Sequence, residues 1–442
     1  MSYLDRTFVL ARLALAASLL LPAIGWRTPL LSSWRYSALT ALILLPLLVI
    51  AFEIRTLRRA QPGSRASRLM SATSLSLAMV VLGTTSTLEA QFQYQRHIVL
   101  RTDPAQLERL GRHLLVGYRD RGTLDALIGR RAIAGVFISA SNVQGKTAEA
   151  IRQQIHSLQE IRARQGVSPL WIATDQEGGA VSRLSPPLTR MPSLAEIVAL
   201  HPDPAERQIA IRQYASRQGR ELNDLGINLN FAPVVDLNHG IINPEDRLSR
   251  IGTRAISQDP AIVTDVARVY CATLMMTGVH CTLKHFPGLG RVYEDTHRVT
   301  AELSARAEEL DASDWVPFRH LMASDAAFIM LGHVRLVAVD RDRPASFSNA
   351  VVDGLLRERW KHDGVLVTDD FSMGAVTHSR EGVTGGAVAA LNAGVDLILL
   401  SYDPDQYFPV MYALLRADGD GGLRSDMLER SDLRLRRAAS RR

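Results

Sequence analysis

The sequence predicts an α/β chain in which N-terminal transmembrane helices precede a (β/α)8 barrel of the TIM type. Three observations carry this. From Ala105 to Ala417, short runs rich in Val, Ile and Phe alternate with amphipathic helical stretches, and repeated strand–helix units build a parallel sheet with right-handed crossovers. Ahead of them stand three long apolar stretches, each near the roughly 20 residues that cross about 30 Å of hydrocarbon. Third, 442 residues at 47% hydrophobic and 22% charged exclude a largely disordered chain. The 51 basic residues exceed the 45 acidic ones by only 6, too few for the basic face of a nucleic-acid binder. Two cysteines exclude a disulfide scaffold and a four-thiolate zinc site.

The anchor comes first, over 1–90, with two to three transmembrane helices. Its stretches are 8–26, broken by Arg12; 36–53, with ALILLPLLVIAF at its centre; and 69–88, diluted by Ser and Thr. A signal peptide explains the first alone, and a buried helical subdomain is the alternative for all three. Between the second and third lie Arg55, Arg58, Arg59, Arg65 and Arg68, against only Arg27 and Arg35 between the first and second. The positive-inside rule places the Arg-rich loop in the cytoplasm. The N-terminus is then cytoplasmic and everything after the third stretch lies outside, provided that stretch crosses.

The barrel is expected over 100–420. Strands are expected at 134–139, 170–175, 229–236, 279–285, 327–333, 364–369 and 395–401, with helices at 147–165, 203–225, 260–277, 306–324 and 384–393. Seven strands fit an eight-stranded barrel with one strand missed or irregular; a doubly wound open sheet is the alternative. The segment 421–442 is expected to be a basic, solvated, frayed tail.

In a barrel, chemistry gathers at the C-terminal strand ends. Here those ends carry Asp175 and Glu177, Asp236, Lys284 and His285, His333, and Asp369 and Asp370. One such residue is ordinarily a turn or helix cap; their recurrence points to a cavity that tunes acid–base groups. In LKHFPGLGRVYEDTH a strand runs into Lys284-His285 and a Pro-Gly turn, then a loop ending in Asp295 and His297. An Asp two residues before a His can fix its tautomer, giving a general acid/base dyad on a mobile loop. In GVLVTDDFSMGAV a strand ends in two carboxylates, one inward and one aside. The inward one can be a nucleophile, a metal ligand or a binding group. Gly145-Lys146-Thr147 lacks the upstream Gly of a phosphate loop, having Ala140 there. No zinc or other cofactor is expected, and Cys271 and Cys281 are expected as buried thiols, with a disulfide the alternative outside the cytoplasm.

Together with WIATDQEGGAVSRL, these segments resemble glycoside hydrolase family 3, in particular its single-domain β-N-acetylhexosaminidase branch. The matching residues are Asp175-Gln176-Glu177-Gly178-Gly179 with Arg183, Lys284-His285-Phe286-Pro287-Gly288, Asp295-Thr296-His297, and Thr368-Asp369-Asp370 with Met373. RIGTRAIS around Arg254, PVVDLN around Asp236, HVRL around His333 and PASFS extend the resemblance over roughly 105–415. It implies a retaining double displacement, with Asp369 as nucleophile and His297, oriented by Asp295, as acid/base in place of the usual second carboxylate. It further implies that Asp175, Arg183, Arg254, Lys284, His285 and His333 bind the sugar, N-acetylglucosamine of cell-wall or related glycans. Leu289 stands where the family usually has His, and Ala180 where it usually has Arg; both bear on what the outer site accepts. After Ala417 too little chain remains for the second domain many members carry, which favours the loop-dyad branch. The expected partners are a carbohydrate and a lipid bilayer, with the barrel on the periplasmic or extracellular side of a bacterial inner membrane. The alternatives are a β-glucosidase or phosphorylase on the same scaffold, or a non-catalytic glycan-binding protein of the envelope.

Overall fold

A computed structural model describes residues 3–59, 65–322 and 327–440. The chain divides into two compact units, Met1–Arg101 and Thr102–Arg442.

The first unit is helical: α1 (Tyr3–Ser18), α2 (Leu20–Ile24), α3 (Arg35–Arg59) and α4 (Arg65–Arg101). Two segments, Pro29–Arg58 and Arg68–Arg101, are long and apolar enough to cross a membrane. The first apolar stretch is broken at Leu19, and its apolar helical part, Leu10–Ile24, falls short of that length. The Ser- and Thr-diluted third stretch thus passes a test that the first does not. Arg12 Nε pairs with the buried Glu53 at 2.8 Å, and Trp26 Nε1 donates to Glu89 at 3.1 Å beside an Arg27–Glu89 ion pair.

The second unit is the closed parallel barrel. Its strands are β1 (Leu114–Val116), β2 (Gly135–Phe137), β3 (Trp171–Thr174), β4 (Leu229–Asn230), β5 (His280–Phe286), β6 (Phe328–Leu331), β7 (Leu366–Asp370) and β8 (Leu397–Leu400). Each pairs with its neighbours in chain order, and β1 closes the ring on β8 through Leu115 opposite Leu399. β1 is the strand the sequence hides, because three residues between a helix end and a turn leave no periodicity to read. Expected strand 229–236 stops at Asn230 except for a bridge from Val234 to Lys284; Pro233 has no N–H for a ladder. Phe137, Trp171, Phe231, Phe328, Met330, Val367 and Leu399 fill the interior, so the barrel is packed and its site must be built above the strands.

Asp203 and Asp259 cap the helices Pro204–Leu225 and Pro260–Met275 through their first backbone N–H groups. The expected helix at 306–324 is two, Ala307–Asp311 and Val316–Met322, and its last two residues lie outside the described ones. The break buries Asp314 and Trp315 beneath the loop after β5, where Trp315 Nε1 donates to the Pro287 carbonyl at 3.1 Å.

Two expectations need correction. Cys271 and Cys281 are not thiols but a disulfide that joins the helix before β5 to β5 itself. Nor is the C-terminal segment a frayed tail. Ser425–Ala439 is a helix whose Leu435 and Ala438 join the barrel's apolar cluster. Buried Arg434 meets Asp396 at 2.8 Å, and Arg357 takes that carboxylate's other oxygen at 2.7 Å. Arg430, Arg436 and Arg437 stay exposed while Arg434 is buried, and a net basic count cannot reveal that one Arg has a buried partner.

Candidate active site

The strand ends hold two connected ionic clusters and a loop. The first starts at β5, where Lys284, 2% exposed, places Nζ 2.7 Å from Asp175 Oδ1 and 2.7 Å from Glu177 Oε1. Arg254 grips Glu177 with both arms, Nη2 to Oε1 at 2.6 Å and Nε to Oε2 at 3.0 Å, while Nη1 donates to the Ser249 carbonyl at 2.8 Å. Burial pushes the Glu177 carboxyl up, but Arg254 and Lys284 pull it further down, to about 2. Much of the donor capacity of Lys284 and Arg254 is therefore spent on Glu177, whose sequence neighbour Asp175 is the part-exposed carboxylate of the pair. The sequence shows Glu177 as a polar strand-end residue; its buried ionic role has no signal there.

The second cluster orients His285. Its Nδ1 lies 2.7 Å from Asp236 Oδ2, so Nδ1–H donates to the carboxylate and Nε2 is left facing Arg254 Nη2 at 3.5 Å. Asp236, fully buried, also accepts the backbone N–H of His285 and of Leu289. One carboxylate thus fixes both the imidazole and the start of the following loop.

That loop ends in the expected dyad. Asp295 Oδ1 accepts from His297 Nδ1 at 2.9 Å and from His297 N at 3.0 Å. Ser249 Oγ donates to the same oxygen at 3.0 Å and lies 3.2 Å from His297 Nδ1. Burial raises the Asp295 carboxyl, but the bonds from His297 and Ser249 outweigh it and hold it below the usual range. With Nδ1 committed, the reactive nitrogen of His297 is Nε2, on a side chain 35% exposed. The backbone closes the arrangement: Gly374 N donates to the His297 carbonyl at 2.8 Å and Ala375 N to that of Thr296 at 3.1 Å. A Cβ at Gly374 would sit 2.2 Å from the Arg298 carbonyl, so only glycine allows this approach.

Asp369 is the penultimate residue of β7, and Asp370 N donates to its Oδ1 at 2.8 Å. Burial works against its charge, but the imidazoles of His285, His333 and His297 outweigh it and hold the carboxyl at about 2. Asp370 turns aside as expected and accepts from Ser372 N at 2.7 Å, Tyr402 N at 2.6 Å and the Ser401 hydroxyl. His333 differs from its expected role. Both ring nitrogens are engaged, Nδ1 with Ser346 Oγ at 2.7 Å and Nε2 with the Asp370 carbonyl at 3.1 Å. Burial depresses it to about 4, so it is neutral near pH 7 and braces the strand end. Arg183 is exposed just after the short hairpin that follows Asp175, and its backbone N–H donates to the Asp175 carbonyl at 3.1 Å. Ser249 had no signal in the sequence, since a serine in a loop is among the commonest of surface residues.

A cavity of about 380 Å³ adjoins the dyad without including Asp369 or Asp175. The loop around Leu237 to Thr253 and the loop from Leu289 to Thr296 form its walls. Asp314 braces both, taking His239 Nε2 at 2.9 Å and Arg291 Nε at 2.8 Å.

Residues 100–435 match the model of the glycosyl hydrolase family 3 N-terminal domain. A β-hexosaminidase of Stenotrophomonas maltophilia is 36% identical over 272 residues, 61% of this chain and 77% of that protein. One from Xylella fastidiosa is 37% identical over 273 residues, with the same coverage. Among solved structures, a family 3 β-N-acetylglucosaminidase from Paenibacillus superposes with a TM-score of 0.69 at 32% identity, covering 76% of this chain and 62% of that one. A β-N-acetylhexosaminidase from Beutenbergia cavernae gives 0.65 at 30% identity, covering 76% and 98%.

Proposed function

Because the chain belongs to glycosyl hydrolase family 3, we propose that it is a membrane-tethered, retaining β-N-acetylhexosaminidase that removes terminal N-acetylglucosamine. Asp369 is the nucleophile. It is ionised throughout the working pH range, and attack on the anomeric carbon expels the aglycone and leaves a glycosyl-enzyme. His297 Nε2 donates the proton to the leaving oxygen and then takes one from the incoming water. Asp295 fixes the tautomer and stabilises the imidazolium that supplies the proton in the first step and is regenerated from the water in the second. Asp175 and the part of Lys284, Arg254 and His285 left over from Glu177 and Asp236 hold sugar hydroxyls.

The observation that carries this is a buried, ionised Asp369 sharing one strand-end cluster with an Asp-bound His whose second nitrogen is open. The substrate class rests on the relatives named above. Hydrolysis of 4-nitrophenyl N-acetyl-β-glucosaminide, and its loss in Asp369→Ala, tests the reading. Equal near-zero rates in both proteins, or cleavage of the β-glucoside alone, overturn it.

The anchor reading is supported by three observations. The Arg-rich loop joins the two long helices. Arg12–Glu53 and Trp26–Glu89 pin the first stretch near the loop end of α3 and the far part of α4, as a third helix alongside them would require. The disulfide suits an oxidising compartment. The barrel side follows from α4 crossing outward, and external protease reaching the barrel in spheroplasts is the expected result. Full protection would place the barrel in the cytoplasm.

A further inference from the structure

A general acid stands beside the oxygen it protonates, so the aglycone lies on the His297 side of the scissile bond. The cavity of about 380 Å³ is on that side. One wall is the loop that ends in the dyad, and the other carries Ser249, 3.2 Å from His297 Nδ1. Most polar side chains of this lining are already spent on the loops themselves. Asn238 accepts from Gly240 N and donates to the Gly252 carbonyl; Asn243 donates to the Tyr293 carbonyl at 2.7 Å. Asp246 accepts from the N–H groups of Leu248, Ser249 and Arg250, and His239 is held by Asp314. Inside, the buried Thr296 hydroxyl is left without a partner, and the rest of what remains is apolar. Leu237 and Leu289 form the floor at 1% and 4% exposure, while Ile241, Ile242 and Tyr293 stand at the mouth at 37%, 82% and 54%. Arg250 and Glu294, of opposite charge, stay exposed at the rim.

We propose that this cavity is an aglycone site for an apolar group, so that the enzyme prefers N-acetylglucosaminides of alkyl or other hydrocarbon alcohols over those of a second sugar. A sugar aglycone needs unspent donors and acceptors, and the walls have few; a hydrocarbon covers Ile241, Ile242 and Tyr293, which otherwise face water. The inference rests on the β-N-acetylhexosaminidase reading and names its leaving group.

The test is kcat/KM of the full chain in detergent below the micelle-disrupting range, for methyl, butyl and hexyl N-acetyl-β-glucosaminides and for N,N′-diacetylchitobiose. A methylene buried in a half-open apolar site gives about twofold, half the free energy of full burial, so hexyl should exceed methyl about 30-fold and exceed the disaccharide. In Ile242→Asp with Tyr293→Ser, both at exposed positions, the hexyl-to-methyl ratio should fall below about fivefold, with the melting temperature recorded to establish folding. A flat alkyl series, a disaccharide faster than hexyl, or a gradient that survives the double substitution overturns the inference alone. Absence of hydrolysis of every member, the 4-nitrophenyl glycoside included, overturns the activity reading and this inference with it.

Discussion

Glu177→Gln separates an electrostatic role for the first cluster from a merely steric one. The substitution keeps the shape and one accepting oxygen but removes the charge that two buried cations face, Lys284 at 2.7 Å and Arg254 at 2.6 Å. Glu177 is held at about 2 against an ordinary 4.5. At roughly 1.4 kcal/mol per unit this corresponds to about 3 kcal/mol, the lower part of the 3–5 kcal/mol range for breaking a buried pair. The sign is that of a depressed carboxyl. The stabilisation is whole above about pH 4.5 and is lost as pH falls toward 2. For a barrel unit of roughly 340 residues the unfolding entropy is about 0.7 kcal/mol/K, so the melting temperature should drop by about 5 °C at pH 7. Activity should fall further than stability explains, because Lys284 and Arg254 lose the carboxylate that aims them; at least tenfold in kcat/KM is expected. The assay is thermal unfolding and aryl N-acetylglucosaminide hydrolysis on the same preparation. A melting temperature within 1 °C of wild type together with kcat/KM within twofold would refute the electrostatic account of this cluster.

Ser249→Ala should lower kcat about tenfold with little change in KM, since it removes one of three donors to Asp295 Oδ1; recovery in Ser249→Thr separates positioning from folding, and an unchanged kcat refutes the role. With Asp369 at about 2, the proposed nucleophile stays ionised as pH falls from 7 to 4, so an acid limb of kcat/KM in that window belongs to another group; trapping of a glycosyl-enzyme at pH 4 and 7 with a slow 5-fluoro N-acetylglucosaminide, which keeps the 2-acetamido group, should give equal stoichiometry. The buried His113 and His333 bind their protons only near 4, against an ordinary 6.5. The unfolded chain protonates first, so stability is whole above about pH 6.5 and falls by about 3 kcal/mol per group as pH drops to 4; His113→Gln should flatten that slope in urea unfolding. Replacing Cys271 and Cys281 together by Ser should cost about 3 kcal/mol, the chain-entropy value for a loop of about ten residues, and a reductant should reproduce that loss in the wild type but not in the variant.

What could be read from the sequence was whatever is repeated or local. Strand–helix alternation gave the barrel, the polar strand ends gave Asp175, Glu177, Asp236, Lys284, His285, His333, Asp369 and Asp370, and the loop after β5 gave Asp295 and His297; the fold brings these to one end. What could not be read was pairing at long range. Asp236 is 49 positions from His285 and Glu177 is 77 from Arg254, and no spacing rule links a strand end to a carboxylate two strands away. His333 shows the converse limit. Its position at a strand end is right, but two neighbours close its ring nitrogens, and only packing decides whether a polar residue faces a substrate or a carbonyl. The disulfide and the terminal helix failed for the same reason, each depending on a partner that composition does not name.

On the roles proposed for His297 and Asp369, these long-range pairings separate what supports the acid/base from what supports the nucleophile. Of the side-chain bonds that hold the loop carrying His297 beyond Pro287, three tie it to the 236–249 segment: Asp236 to Leu289 N, Asn243 to the Tyr293 carbonyl, and Ser249 to Asp295. Another, Asp314 on Arg291, also holds His239 of that same segment. The nucleophile, by contrast, is fixed by its own strand and by Asp370. The two catalytic groups therefore have separate supports, joined by the short backbone bridge from Gly374 to His297. Substitutions in 236–249 should act on proton transfer to the leaving group and spare glycosylation of activated substrates, whose good leaving groups need little protonation. Asn243→Ala should slow an alkyl glycoside at least tenfold more than a 2,4-dinitrophenyl glycoside. Equal losses on both would mean that the segment supports the nucleophile as much as the acid, and that the two supports are not separate.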